Sequence, residues 1–504
     1  MSDRDVKQTV VDAIWQVVDS TPQIKSATIT GSFERNGDLC DVSDIDTVLI
    51  VDQLDAKSFA SIQHEFHDTL SKPLGRFGYK LRVNATLGPL KFNEERTAVL
   101  HLMMYTPDRH RTHVIQSPFT CLDWQRSVTW RKTPLDTVYP VFGLQPHHFI
   151  GSRRGARDYL RDLTSESVTY RELVFNGDGY EEVAHHKPMT IRDRHEFGYH
   201  VMRFLMQNSL KMLRRSNQAV AADELCEAYF RIFSTGAEDF RCLFAELSRY
   251  KHSGSTAEAV PDLDARVTAF VEAFEVQFRE SFETSATRHL LFRHAPTSLN
   301  RAAGLDTIFQ GRTDMDIAPG DHAGITALTE AAQRLELRRA FVSPLRRTAQ
   351  SMNLLKNLGA AVQTPVSDSR LTEMNYGACE GKSVAECQRE FSGLFDSWKR
   401  GEDPEFPVHG ENTAAVSERV QQFVQERLRP DLGDSISCTH NVVLRTLVGQ
   451  LLCVPRDQWY RLRIPHLAAI TVVSTKRFGV FLDLDAEVEQ AMFAEFFNDQ
   501  VRSS

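Results

Sequence analysis

Leu290-Leu291-Phe292-Arg293-His294-Ala295-Pro296-Thr297, with Asn300 three residues on, decides how the second half of this chain is read. Three apolar residues run into a cation and an imidazole, and a proline follows. That pattern predicts a buried strand whose end presents Arg293 and His294 at the mouth of a sheet. Four further stretches stand after it in order. Gln310-Gly311-Arg312-Thr313-Asp314 reads as a loop, and Phe341-Val342-Ser343-Pro344-Leu345-Arg346-Arg347 as a strand end entering a helix. Leu371-Thr372-Glu373 with Tyr376-Gly377 follows, and then Thr439-His440-Asn441 with Arg445. Buried strands alternate here with helical spacing, which predicts a mostly parallel sheet covered by helices.

This set resembles the histidine phosphatase family, the phosphoglycerate-mutase-like enzymes, over about residues 286 to 490. The resemblance implies a three-layer α/β domain that cleaves phosphomonoesters without a metal or other cofactor. It implies His294 as the nucleophile, and Arg293, Arg347 and His440 as the cationic pocket. Arg347 is taken over Arg346 because the family's arginine falls four residues after a serine, here Ser343. Asn300 would add a phosphate contact, and Glu373 would serve as acid and base. A guanidinium suits phosphate because it donates two parallel hydrogen bonds. Glu373 has to be protonated for the first step, so a raised pKa is expected. Two glycines of the family pattern are replaced, by Ala295 and Asn441, and neither change removes a charged group. Glu380 and Glu411 are read as orienting backbone near the pocket. The compact span from Asp314 to Glu373 lacks room for the insertions with which mutases enclose a bisphosphate, so hydrolysis is the expected outcome.

At 504 residues the chain is too long for one core. A composition of 41% hydrophobic and 25% charged residues is that of an ordinary globular protein. No apolar run predicts a bilayer span, and Met1-Ser2-Asp3-Arg4-Asp5 does not open an export-signal pattern. The eight cysteines are scattered with no Cys-x-x-Cys pair, so a reducing cytoplasm is the expected setting. A net charge of −8 argues against a nucleic-acid partner.

In the first part, taken as about residues 1 to 125, Val10, Val11, Ile14, Val17 and Val18 share a helical face. A strand over 26–30 leads to Gly31-Ser32, and Ser43-Asp44-Ile45-Asp46 enters another strand. Alternation puts Asp44 and Asp46 on one face and turns Ile45 into the core. Two close carboxylates favour a hard cation between them, such as Mg²⁺. Gly31-Ser32 followed by this acidic pair resembles the nucleotidyltransferase superfamily, the DNA-polymerase-β-like fold. The resemblance implies that Gly31 and Ser32 hold nucleotide phosphates and that Asp44 and Asp46 hold Mg²⁺. It also calls for a third carboxylate from a later strand. Strands over 79–86 and 97–105 offer Asn84 and His101 instead, and Glu94 and Glu95 lie between them.

Residues 126 to 285 are expected to form a helical companion, with helices near 195–215, 221–233, 238–250 and 263–283. Ser152 to Arg157 is read as a basic loop. His147-His148 and His185-His186 are read as loop pairs without ligand spacing. His195 and His200 stand five apart and diverge around a helix, which rules out the zinc-protease pattern. Residues 286 to 504 form the third part.

The expected partners are a nucleoside triphosphate and a small phosphorylated metabolite. Three functions are compatible with this reading: a bifunctional transferase and phosphatase, a phosphatase regulated by a nucleotide-binding domain, and an RNA end-processing enzyme. The acidic charge disfavours the last.

Overall fold

The computed structural model describes residues 3–35, 44–88, 90, 96–176, 179–214, 222–234, 236–253, 258–302, 308–320 and 322–497. They form two compact units. One comprises Met1–Leu144, His148–Gln277 and Phe496–Ser504; the other comprises Gln145–His147 and Phe278–Glu495. Among the described residues no helix is long and apolar enough to cross a membrane.

The first unit holds a five-stranded sheet. Its strands are β1 (Ile24–Thr30), β2 (Asp44–Val51), β3 (Lys80–Asn84), β4 (Thr97–Tyr105) and β5 (Trp130–Lys132), in the order β3-β4-β2-β1-β5. β2 and β3 run parallel to β4, whereas β1 is antiparallel to β2 and β5. Helices Asp3–Ser20 and Ala56–Arg76 cover one face, with Val10, Ile14, Val17, Ile62, Phe66 and Leu70 packed among Ala27, Ile29, Leu49 and Val51. Asp55 and Ser58 close a reciprocal cap that starts the second of these helices. Ile45 turns into this core, and Asp44 and Asp46 point to the opposite face.

Helices follow at Phe149–Thr164, Ile191–Arg214, Ala222–Phe230, Ala237–Ser253 and Leu263–Arg279. Two features depart from the sequence reading. Ser152 to Arg157 is not a loop but lies inside helix Phe149–Thr164. Phe149, Ala156 and Leu163, two turns apart, are buried along one stripe, and Arg153 is paired with Glu275. The second is a hairpin, β6 (Ser167–Asn176) and β7 (Gly179–Pro188), within the part expected to be a helical companion, where His185-His186 is read as a loop. His185 and His186 therefore stand in a strand, paired with Tyr170 and Thr169. The strands alternate half-buried and exposed residues, the period-two pattern of a strand pair. His195 stacks on Tyr250 at 4.5 Å, a packed imidazole rather than a ligand.

The second unit is a six-stranded sheet of β8 (Thr287–Arg293), β9 (Arg339–Val342), β10 (Val366–Ser367), β11 (Ser435–Thr439), β12 (Ile470–Thr475) and β13 (Gly479–Leu482), ordered β10-β9-β11-β8-β12-β13. The first four in that order are parallel; β12 and β13 are antiparallel additions at one edge. Leu290, Phe292, Ala340, Val342, Ile436 and Cys438 pack with Leu328, Ala332, Met352 and Leu355 of helices Ile325–Gln333 and Arg346–Asn357. On the opposite face Phe341 packs edge-on against Phe423 of helix Thr413–Arg427. His147 belongs to this unit. It sits in a single helical turn, Pro146–His148, and its ring nitrogens face Asp483 and Glu489 at 3.3 and 3.4 Å. Burial opposes its charge, but the two carboxylates outweigh it and hold its pKa at about 9.

Candidate active site

Three parallel strands of the second unit end at one level. Arg293 is in register with Thr439, and Cys438 with Val342. The residues that follow these ends, His294, His440 and Ser343, are thereby brought together, in the crevice where open α/β sheets bind ligands. Proline after His294-Ala295 and after Ser343 prevents the strands from continuing.

His294 is buried, and its backbone N–H donates to Thr439. Its Nδ1 lies 2.7 Å from the carbonyl of Ala295. A carbonyl only accepts, so Nδ1 carries the proton and the lone pair sits on Nε2. Burial, reinforced by Arg293 and Arg347, drives its pKa well below 6.5. The ring is therefore neutral, with a nucleophilic nitrogen. His440 lies 5.1 Å away, ring to ring, and its Nε2 is 2.7 Å from Ser343 Oγ. Ser343 Oγ also accepts from the Leu345 N–H. Burial and the cations around His440 lower its pKa as well.

The two arginines are held by carbonyls. Arg293 donates to Ile464 at 2.9 Å; Arg347, fully buried, donates to Thr313 and Gly311 at 2.8 and 2.7 Å. Each keeps a buried Nε without a protein partner, as do Nδ1 of His440 and Nε2 of Gln310. Buried unsatisfied donors are rare in native proteins. Donors of this kind grouped around a nucleophile make a cradle for an anion. Burial pulls the pKa of Arg293 down to about 10, with Glu373 acting against that; the guanidinium stays charged at neutral pH.

Glu373 is buried and accepts from the Met374 and Val442 N–H groups at 2.9 and 3.2 Å. Val442 opens helix Asn441–Leu451, whose N-cap is His440. Burial raises the carboxyl pKa and prevails over the hydrogen bonds and arginines that lower it. Glu380 accepts from the N–H groups of Gly311, Arg312, Thr313 and Tyr376. It thus shapes the loop whose carbonyls hold Arg347. Gly311 is demanded by this packing, since a Cβ there would lie 2.1 Å from Glu380 Oε1 and 2.3 Å from the Met374 carbonyl. Glu411 accepts from the Asn375 N–H at 2.8 Å. The Oδ1 of Asn300 accepts from both the N–H and the hydroxyl of Thr297, so it fixes the turn after His294.

One residue escaped the sequence reading. Nδ1 of His466 lies 2.6 Å from the His294 carbonyl, and its ring is 5.3 Å from that of His294. Burial and Arg293 lower its pKa to about 4. Ile464-Pro465-His466-Leu467 carries no motif that signals this.

In the first unit, Gly31 has φ +80°, and a Cβ on it would meet Asp46 Oδ2 at 2.3 Å. Glycine is required both by the left-handed backbone and by the close approach of the carboxylate. Ser32 is exposed in the short helical turn Gly31–Arg35. Asp46 pairs with His101 across the sheet, and His101 with Asn84. The Asn84 carboxamide oxygen accepts from Thr86, so its Nδ2 is the group that donates to His101 Nδ1 at 2.8 Å. His101 then carries its proton on Nε2, which faces Asp44 Oδ1 at 3.2 Å. Two carboxylates on one face fit a hard cation. His101 presents a proton rather than a lone pair and does not complete the donor set. Ser43, Glu94 and Glu95 lie outside the described residues.

The fold and this arrangement of a neutral histidine, two arginines, a second histidine and a protonatable glutamate define a phosphoryl-handling α/β domain. The sequence profile of the histidine phosphatase superfamily (branch 1) matches residues 289–484. The 2,3-bisphosphoglycerate-dependent phosphoglycerate mutase of Thermobifida fusca is 31% identical over 196 residues, which cover 38% of this chain and 72% of that enzyme. The mutase of the same description from Cytophaga hutchinsonii is 26% identical over 168 residues, 32% of this chain and 76% of that one. Among solved structures, a mycobacterial glucosyl-3-phosphoglycerate phosphatase aligns with 40% of this chain and 98% of its own, at 22% identity and a TM-score of 0.32. Through this C-terminal region the chain belongs to the histidine phosphatase superfamily.

Proposed function

We propose that the C-terminal site hydrolyses a small phosphomonoester through a phosphohistidine. Phosphoryl oxygens fill the cradle of Arg293, Arg347 and His440. Nε2 of His294 attacks phosphorus, the ester P–O bond breaks, and Glu373 gives its proton to the departing oxygen. The carboxylate then takes a proton from water, whose oxygen attacks the phosphohistidine and frees Nε2. The Nδ1–H bond from His294 to Ala295 carries this reading, because it aims the lone pair of a neutral ring. Release of inorganic phosphate from aryl and alkyl phosphates tests it, with water as the acceptor favoured over a second phosphate-bearing substrate. Predominant transfer of phosphate between substrate molecules would replace hydrolysis by mutase chemistry.

The first part, about residues 1 to 125 with residues 126 to 285 as its companion, is read as a nucleotidyltransferase-like domain. Asp44 and Asp46 would hold Mg²⁺, which supplies neutralisation of a triphosphate. Gly31 and Ser32 would lie along the phosphates. The close fit of Gly31 against Asp46 supports the reading. In a bifunctional enzyme, Mg²⁺-dependent release of pyrophosphate with an acceptor present would be lost in Asp46→Asn. The hydrogen-bonded pair His101–Asn84 favours a second reading, in which the domain binds a nucleotide without transferring it and modulates the phosphatase. That reading requires a nucleoside triphosphate to change the rate of aryl phosphate hydrolysis. An insensitive rate at saturating nucleotide excludes it.

A further inference from the structure

A cavity of about 250 Å³ opens in the first unit, lined by Thr28, Trp124, Ser127, Trp130 and Asp136 among others. Its position follows from strand register. Asp46 pairs with Thr30, and Thr28, the cavity's floor, stands two residues further along β1 on the same face. That step is roughly 7 Å. Trp130 of edge strand β5 pairs with Thr28, lines the cavity and is 45% exposed. Trp124, mostly buried, is the inner wall and is braced by stacking on His113 at 5.2 Å. The Thr28 side chain is buried, and its hydroxyl has no hydrogen-bond partner. The rim is tied to the turn that carries Gly31 and Ser32: Glu34 of that turn accepts from the Ser127 hydroxyl and the Val128 N–H at 2.9 and 3.0 Å.

We propose that this cavity takes the heterocyclic base of a nucleoside triphosphate whose phosphates lie at Asp44, Asp46 and Gly31-Ser32. The inference rests on the nucleotidyltransferase-like reading above and adds the place and chemistry of base recognition. A base has a flat π-face for Trp130 and an edge of donors and acceptors for the Thr28 hydroxyl. The volume is below the roughly 300 Å³ at which pockets begin to hold drug-sized ligands, which suits one ring system. A step of two residues along a strand is the span that a ribose bridges between phosphate and base.

The test is calorimetric titration of the full chain in the His294→Ala background, so that nucleotides stay intact. The ligands are ATP, GTP, CTP, UTP and inorganic tripolyphosphate, each with Mg²⁺. At least one nucleotide should bind more tightly than tripolyphosphate. Trp130→Ala should weaken that nucleotide about tenfold and leave tripolyphosphate unchanged. Thr28→Val, which keeps the shape and removes the hydroxyl, should weaken the same nucleotide several-fold. Trp130→Phe, which keeps a stacking face, should restore most of the affinity and guards against misfolding of the alanine variant. Tripolyphosphate and nucleotides of equal affinity, or a nucleotide indifferent to Trp130→Ala and Thr28→Val while sensitive to Asp46→Asn, would overturn the cavity and leave the phosphate site standing. Absence of binding by all five ligands would overturn the nucleotide reading itself.

Discussion

Ser343 Oγ lies 2.7 Å from Nε2 of His440, across 97 residues of sequence. If the serine gives its proton to Nε2, the buried Nδ1 carries the other and points it at the anion cradle. Ser343→Ala removes that control. We expect a loss of about 1–3 kcal/mol in transition-state binding, the cost of an unsatisfied buried partner. It should be read in kcat more than in KM. His440→Ala should lose about 10²–10³-fold in kcat, as removal of an oxyanion donor does. A Ser343→Ala/His440→Ala double variant whose loss equals the sum of the two single losses would refute the coupling.

His294→Ala should abolish turnover, and the wild-type chain should carry an acid-labile, base-stable phosphate on His294 after mixing with labelled substrate. Full activity in the variant, or label on another residue, would sink the nucleophile assignment.

Glu373 is held protonated by burial to a higher pH than an ordinary carboxyl. The acid form is the one that starts the reaction, so the rate of the first step should fall as pH rises through that raised pKa. Glu373→Gln should lose about 10²–10⁴-fold with alkyl phosphates. With nitrophenyl phosphate, whose leaving group needs no proton, the first step should survive and the phosphoenzyme should accumulate. Equal losses with both substrates would exclude an acid role.

Gly311→Ala should displace the loop that positions Arg347, because the new Cβ would collide with Glu380 and the Met374 carbonyl. Affinity for inorganic phosphate and thermal stability should fall together, the latter by about 1–3 kcal/mol. Inhibition by phosphate measured beside a melting curve checks this. Unchanged phosphate affinity would show that the loop does not set the arginine.

Burial lowers His289 to about 3 and His466 to about 4, in both cases from an ordinary value of 6.5. Between those values the unfolded chain binds the proton and the native one does not, so stability is lost as pH falls below about 6.5. His147, held at about 9, works in the opposite sense: its contribution is complete below 6.5 and is lost as pH rises through 9. Melting temperature should therefore peak between these limbs. His289→Gln should flatten the acid limb and His147→Gln the alkaline one; an unchanged profile in either variant would remove that group from the balance.

The sheet of the second unit was legible from its first strand, an apolar run from Leu290 to Phe292 that ends in Arg293 and His294. The acidic face of β2 was legible from alternation alone. What escaped depends on partners far away in sequence. Ser152 to Arg157 looks polar and loop-like by itself, and becomes helix because Phe149, Ala156 and Leu163 have a surface to bury against. Glu380 is legible as a residue that orients backbone near the pocket, but which backbone it holds, that of 311–313, is not. His466 reaches the His294 carbonyl only because β12 is paired beside β8. No local pattern encodes such an approach.

The insertion of β11 between β8 and β9 has a consequence for biosynthesis. A nascent chain contains His294 and Arg347 well before it contains His440. At roughly 5–20 residues per second, synthesis of the segment from 294 to 440 takes about 7 to 30 s. Throughout that time the gap between β8 and β9 is unfilled, and the site has neither His440 beside the nucleophile nor the Val442 N–H that binds Glu373. An interrupted message therefore yields no partial phosphatase, and a chain able to cleave esters has been translated past its last central strand.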